Sequence, residues 1–204
     1  MINITNEDNM ELMSRYDDNH FDLAIVDPPY GISVNKMTLG SGKYKNKGKS
    51  WDNETPSIEY FNELFRVSKN QIIWGANYMI DKIKKPSMGW IYWDKMNGSS
   101  DFSDGELAYT SFERALRSFK YHLSKDRCKR FHPTQKPVQL YEWLLMVYAK
   151  DGDKILDTHL GSGSIASACH NLGFDLEGYE LDQDYYQGAL TRLKNHQKQL
   201  SLFQ

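Results

Sequence analysis

Four consecutive residues carry the most specific chemistry in this chain: Asp27-Pro28-Pro29-Tyr30. The Asp27 carboxylate and the Pro28 carbonyl can both accept hydrogen bonds from one –NH2 group. Such a pair orients the nitrogen, favours its tetrahedral form and frees the lone pair for in-line attack. Prolines fix φ and bring no competing N–H, so the acceptor pair is rigid. Tyr30 adds a ring face on which an extruded base can lie. The tetrad suits transfer to an exocyclic amine, although in isolation the same residues also suit a turn that ends a strand.

A second segment binds rather than reacts. Ile155-Leu156-Asp157-Thr158-His159-Leu160-Gly161-Ser162-Gly163-Ser164 reads as a strand entering glycines and then a helix. Glycines there permit a tight turn and close ligand approach, and the helix start presents free N–H groups. Gly161 to Ala166 fits the loose pattern G-x-G-x-x-A, and Glu180 follows 19 residues after Gly161 at the end of the next strand. An acid at that place accepts from ribose hydroxyls, so the expected ligand is a ribosylated adenine cofactor. The pattern alone does not separate NAD from S-adenosylmethionine. Asp157 favours the latter, because a carboxylate before the glycines attracts a cation and repels a pyrophosphate. A nicotinamide half-site would also need further βα units after Glu180, where the sequence offers one helix.

The elements that position these groups alternate. Phe21–Val26 reads as a buried strand stopped by two prolines. Residues 31–54, with four glycines and many polar residues, form a long loop. Helical spacing marks 57–68, 76–83, 138–149, 164–172 and 183–197; strands are expected at 71–74, 89–93, 106–112, 117–121, 154–157 and 175–180. Strands alternating with helices predict an α/β chain with a doubly covered, mostly parallel sheet.

Composition narrows the class. The chain has 204 residues, 25 basic and 27 acidic, for a formal charge of −2. Its 40% hydrophobic and 13% aromatic content excludes a disordered or fibrous chain. One domain spanning 1–204 is expected. No apolar run approaches the ~20 residues of a membrane span, and the first residues lack the basic and apolar regions of a signal peptide. Cys128 and Cys169 have no metal-ligand spacing and read as reduced thiols. These features predict a cytoplasmic protein without a metal. Basic residues cluster twice: Lys43, Lys45 and Lys47 in the long loop, and Arg114, Arg117 and Arg127 further on. Each cluster is either a solvated surface or a polyanion footprint.

The tetrad followed by the glycine segment resembles the amino-methyltransferases of DNA. The order, tetrad first and cofactor segment last, is similar to their β group of N6-adenine enzymes, which includes phage-encoded and restriction-unlinked members. Phe131-His132-Pro133-Thr134-Gln135-Lys136-Pro137 resembles that group's methionine-pocket segment, with Thr134 and Lys136 at matching positions, and Gly178-Tyr179-Glu180 with Tyr185 resembles its ribose-binding strand end. The resemblance implies a circularly permuted, Rossmann-like fold with a seven-stranded, mostly parallel sheet. It also implies S-adenosyl-L-methionine as cofactor, held by Asp157, Gly161, Ser162, Gly163, Ser164, Glu180, Thr134 and Lys136, with Asp27, Pro28, Pro29 and Tyr30 catalytic. Asp27 points to adenine, because cytosine-N4 enzymes typically carry Ser there. His159 stands where the group usually has Phe; it reads as a ring-packing substitute, with a catalytic base as the sharper alternative.

On this reading double-stranded DNA is the partner, contacted by Lys43, Lys45, Lys47, Arg114, Arg117 and Arg127. A short recognition insertion is expected around 95–130. The final Gln199-Leu200-Ser201-Leu202-Phe203 resembles a sliding-clamp docking peptide, with an edge strand as the structural alternative. A homodimer is a further expectation.

Overall fold

The computed structural model describes residues 1–33, 51–98, 103–122 and 132–201, with side chains to 198. In chain order the strands are β1 (Ile2–Thr5), β2 (Phe21–Val26), β3 (Ser68–Trp74), β4 (Trp90–Asp94), β5 (Gly105–Thr110), β6 (Arg117–Lys120), β7 (Lys154–Asp157) and β8 (Asp175–Tyr179). The helices are α1 (Asn9–Met13), α2 (Ile58–Val67), α3 (Ile80–Ile83), α4 (Val138–Tyr148), α5 (Ser164–Leu172) and α6 (Gln183–Ser201). A single 3-10 turn, Ala76–Tyr78, precedes α3.

Among the described residues the strands form one sheet in the order β1-β8-β7-β2-β3-β5-β4-β6. Only β5 runs antiparallel to its neighbours, β3 and β4; the other pairings are parallel. The sheet therefore has eight strands rather than the expected seven. The addition is β1, which pairs Ile2 with Leu176 and Thr5 with Tyr179. Four residues are too short for a readable period, and the partner strand lies about 174 positions away.

Side-chain alternation along the central strands divides the core. Leu23, Ile25, Ile72 and Trp74 face one layer, which holds α4 and α5. Ala24, Val26 and Ile73 face the other, built from α1, α2 and α3. Period-two burial on both faces is what a doubly covered sheet requires. The α2 helix shows the complementary period: Tyr60, Phe61, Leu64 and Val67 are buried.

Several expectations change in the structure. The helix expected over 76–83 divides at Met79 into the 3-10 turn and α3. The stretch from 95 to 130 is not simply an insertion, because β5 lies inside the sheet between β3 and β4. The final helix continues through Ser201, so the edge-strand alternative does not hold for Leu200 and Ser201. Leu202 and Phe203 lie outside the described residues, as do Lys43, Lys45, Lys47, Arg127 and Cys128. Cys169 is a buried free thiol. No helix among the described residues is long and apolar enough to cross a membrane.

Candidate active site

Strand β2 has the β3 unit on one side and the β7 unit on the other, so the chain reverses its direction of winding there. In open α/β sheets a crevice forms at that switch, beyond the strand ends. Parallel pairing of Leu23 with Ile155 and Ala24 with Leu156 brings Asp27 and the glycine segment to the same edge. Between them lies a cavity of about 630 Å³ whose wall includes Asp27, Pro29, Thr134, Lys136, Gly161, Ser162 and Glu180.

The tetrad is held from three directions. Asp52, buried, accepts the backbone N–H groups of Tyr30 (2.7 Å) and Gly31 (3.1 Å) through one oxygen. Tyr30 turns inward, and its hydroxyl donates to Asp27 Oδ1 at 2.7 Å. Its ring packs so tightly on Gly75 that a Cβ there would sit 2.1 Å from Tyr30 Cε1; Gly75 also has φ +65°. Tyr78 stacks on Tyr30 at 5.3 Å between centroids, and half of its surface is exposed.

Lys136 lies on the cavity wall and reaches the tetrad as well. It is 3% exposed, and its ammonium contacts Asp27 Oδ2 at 2.5 Å and Glu106 Oε2 at 3.0 Å. The residue expected in a methionine pocket thus faces the tetrad while its backbone carbonyl accepts from Ser164 Oγ. Glu106 of β5 also binds Lys95 at 2.6 Å. Burial would raise the Glu106 carboxyl, but Lys136 and Lys95 outweigh it and hold the group near 2. Asp27 moves upward, because burial and the Glu106 charge outweigh Lys136. Lys136 moves up, its own burial outweighed by the two carboxylates. Glu106 and Lys95 escaped the sequence reading. An acid opening an otherwise apolar strand, Gly105-Glu106-Leu107-Ala108-Tyr109, was the available signal.

The glycine turn is braced from behind. Glu180 Oε2 accepts from Gly161 N–H at 2.7 Å, and Oε1 accepts from Asp182 N–H at 2.8 Å. Arg192 of α6 donates to the Ser162 carbonyl (3.0 Å) and to Ser164 Oγ (2.8 Å). Gly163 has φ +68°, and a Cβ there would meet Ala189 Cβ at 3.0 Å, so glycine lets α6 approach. Gly163, Ser164 and Asp157 support the turn, whereas Gly161, Ser162 and Glu180 line the cavity.

Asp157 sits beneath the glycine turn rather than on the cavity wall. It is 1% exposed, accepts from His159 N–H at 3.0 Å and is pushed by burial up to about 8. Its folded value lies above the ordinary 3.8, so its contribution to stability is full below that value and is lost as pH rises towards about 8. Urea unfolding at pH 5 and pH 8 should show a smaller loss in Asp157→Asn than in the parent protein.

His159 packs edge-on against Tyr60 with centroids 5.2 Å apart, as a ring substitute would. Its Nε2 lies 3.2 Å from Asn9 Nδ2 and its Nδ1 3.0 Å from Thr158 Oγ1. With the Asn9 amide donating to Nε2, the proton sits on Nδ1. Burial lowers its pKa to about 4, which makes it a weak base. Arg114 is also committed: it donates to the Val147 carbonyl at 2.8 Å and covers the Phe112 and Tyr148 rings. Arg117 lies exposed on β6.

The cavity suits the expected cofactor. Among the described residues its wall carries five carboxylates, those of Glu7, Asp8, Asp27, Glu180 and Asp182, against one ammonium, that of Lys136. That balance favours a cationic ligand. Trp51 on the same wall has a buried indole N–H with no partner among the described residues, a donor left for a bound group. The volume lies within the range of small-molecule sites, roughly 300–1,000 Å³.

Known proteins share the sequence pattern and the fold of this chain. Residues 69–191 match the family N6_N4_Mtase, described as DNA methylase. The type II methyltransferase M.HpaI of Haemophilus parainfluenzae is 26% identical over 229 residues, covering 90% of this chain and 71% of that protein. M2.MboI of Moraxella bovis is 26% identical over 244 residues, covering 93% and 89%. The crystal structure of the M1.HpyAVI-SAM complex superposes over 95% of this chain and 100% of that one, with TM-score 0.64 and 24% identity. The cytosine-N4-specific PvuII DNA methyltransferase covers 94% of this chain and 86% of its own, with TM-score 0.62 and 12% identity. These two structures share the fold.

Proposed function

The chain belongs to the DNA methylase family, and from that premise we propose that it methylates the N6 amine of adenine in double-stranded DNA with S-adenosylmethionine. The observation that carries this reading is the Asp27 carboxylate at the end of β2, lining the same cavity as Gly161 and Glu180. An amine acceptor and a ribose acceptor on one cavity support a reading in which a nucleobase lies beside an adenosine-bearing cofactor.

When bound, the cofactor supplies an electrophilic methyl group on a sulfonium. Glu180, oriented by the Gly161 and Asp182 N–H groups, accepts from the ribose hydroxyls. Thr134 and Trp51 offer donors on the cavity wall. Asp27 and the Pro28 carbonyl accept from the two N–H bonds of the target amine and direct its lone pair into the cavity. Rigid acceptors at the point where charge develops lower the barrier without reorganising. Asp27, rather than Ser, at the head of the tetrad supports adenine over cytosine.

Nucleoside analysis of DNA from a methylation-deficient host expressing the protein tests the reading. N6-methyladenine at a defined site is expected; N4-methylcytosine, or no modified base, overturns it. Glu180→Ala should weaken S-adenosylmethionine about 10- to 100-fold, the span of one or two hydrogen bonds to a charged acceptor. It should leave the choice of DNA site intact. Calorimetry checks the first effect, and an unchanged dissociation constant would place the ribose elsewhere.

A further inference from the structure

We propose that Glu106 is a positioning residue for methyl transfer, dividing the Lys136 ammonium between two carboxylates so that Asp27 keeps acceptor capacity for the amine. The inference rests on the methyl-transfer reading above. One buried and three partly buried charges stand in alternating order, Lys95, Glu106, Lys136 and Asp27, with contacts of 2.6, 3.0 and 2.5 Å. Backbone register builds the far end of this row: β4 and β5 pair Trp93 with Glu106, and Lys95 N–H donates to the Asp104 carbonyl at 2.9 Å. Lys95 is 14% exposed and Glu106 21%, so solvent screens them little.

The arrangement has a chemical consequence. An ammonium given to Asp27 alone would form a closed ion pair and compete with the substrate amine for its lone pairs. It would also add an uncompensated positive charge beside a cationic cofactor and a target nitrogen that is cationic from methylation until it releases its surplus proton to water. Glu106 offsets that charge, and Lys95 keeps Glu106 ionised. Tyr30 Oη, 2.7 Å from Asp27 and 3.3 Å from Glu106, bridges the two carboxylates. A purely structural ion pair would hold β5 against the segment before α4 and leave the titration of Asp27 alone.

Groups that bear on Asp27 are Lys136 and Tyr30 in contact, Glu106 on their far side, and Asp157 of β7 and Tyr141 of α4 behind them. Removing the negative neighbour in Glu106→Gln should lower the Asp27 titration midpoint, by about one pH unit on the usual scale of a nearby charge. Removing a positive charge in Lys95→Met should move it the other way. The measurement is the 13C carboxyl titration of Asp27 in the cofactor-free protein, its signal assigned with Asp27→Asn. In turnover, the acid limb of kcat should follow the same two directions, with kcat of Glu106→Gln reduced and KM for DNA held.

An Asp27 midpoint that stays put in a folded Glu106→Gln overturns the proposal. If that variant does not fold, a Lys95→Met midpoint that fails to rise overturns it equally. The titration needs neither DNA nor cofactor. A protein whose midpoints move but which methylates no DNA refutes the methyl-transfer reading while the electrostatic coupling stands.

Discussion

Asp27→Asn is expected to slow methyl transfer by about 10²–10³-fold, the usual cost of losing one preorganised contact made at the transition state. The isosteric amide keeps an oxygen, but an NH2 group now stands where the Lys136 ammonium approached Asp27 Oδ2 at 2.5 Å. Two donors cannot share that contact. The amide therefore turns its oxygen to Lys136 and its NH2 towards Tyr30 or the incoming amine, which it repels. Most of the loss should fall in kcat, because Gly161, Glu180 and Trp51 remain on the cofactor wall. Single-turnover kinetics with labelled cofactor, beside calorimetric cofactor binding, separates the two. A variant that turns over at the parent rate would remove Asp27 from the reaction.

Much of the scaffold behind that experiment was readable in the chain. β2, β7 and α5 have the bounds that their patterns predict, because each has a local stop: the two prolines after Val26, the glycines after Leu160 and Gly173 after Leu172. Elements that depend on distant partners were not readable. β1 exists through its pairing with β8 at the other end of the sequence, and Ile2-Asn3-Ile4-Thr5 carries no local mark of it. The same distinction divides the site. Motif spacing singled out Asp27, Gly161 and Glu180, which line one cavity, since strand ends and tight turns constrain residue type locally. It did not identify the partners of Lys136, which come from β2 and β5 and meet it only after the sheet has closed. Asp157 shows the limit of reading charge from sequence: its acidity depends on burial, which pushes the carboxyl well above the range of an exposed aspartate.

Lys136→Met should be the most destabilising single change in the site, and its deficit should widen as pH rises. The methionine fills the space of a side chain that is 3% exposed but leaves Asp27 and Glu106 facing each other across Tyr30. Removing one partner of a buried ion pair typically costs about 3–5 kcal/mol. In the parent protein Glu106 is held near 2, below its ordinary 4.5, so its stabilising contribution is present above pH 4.5 and is lost as pH falls towards 2. In the variant Lys95 still neutralises Glu106, whereas Asp27 loses the charge that opposed its burial. Its folded pKa then rises further above the unfolded value, and the native state takes up a proton that the unfolded state releases. Stability linked to Asp27 is therefore greatest at low pH and is lost as pH rises through the new midpoint. Urea unfolding from pH 4.5 to 8 should show the variant's deficit widening with pH. A deficit of the same size at every pH would mean that Lys136 contributes packing alone, and that its charge does not govern the two carboxylates.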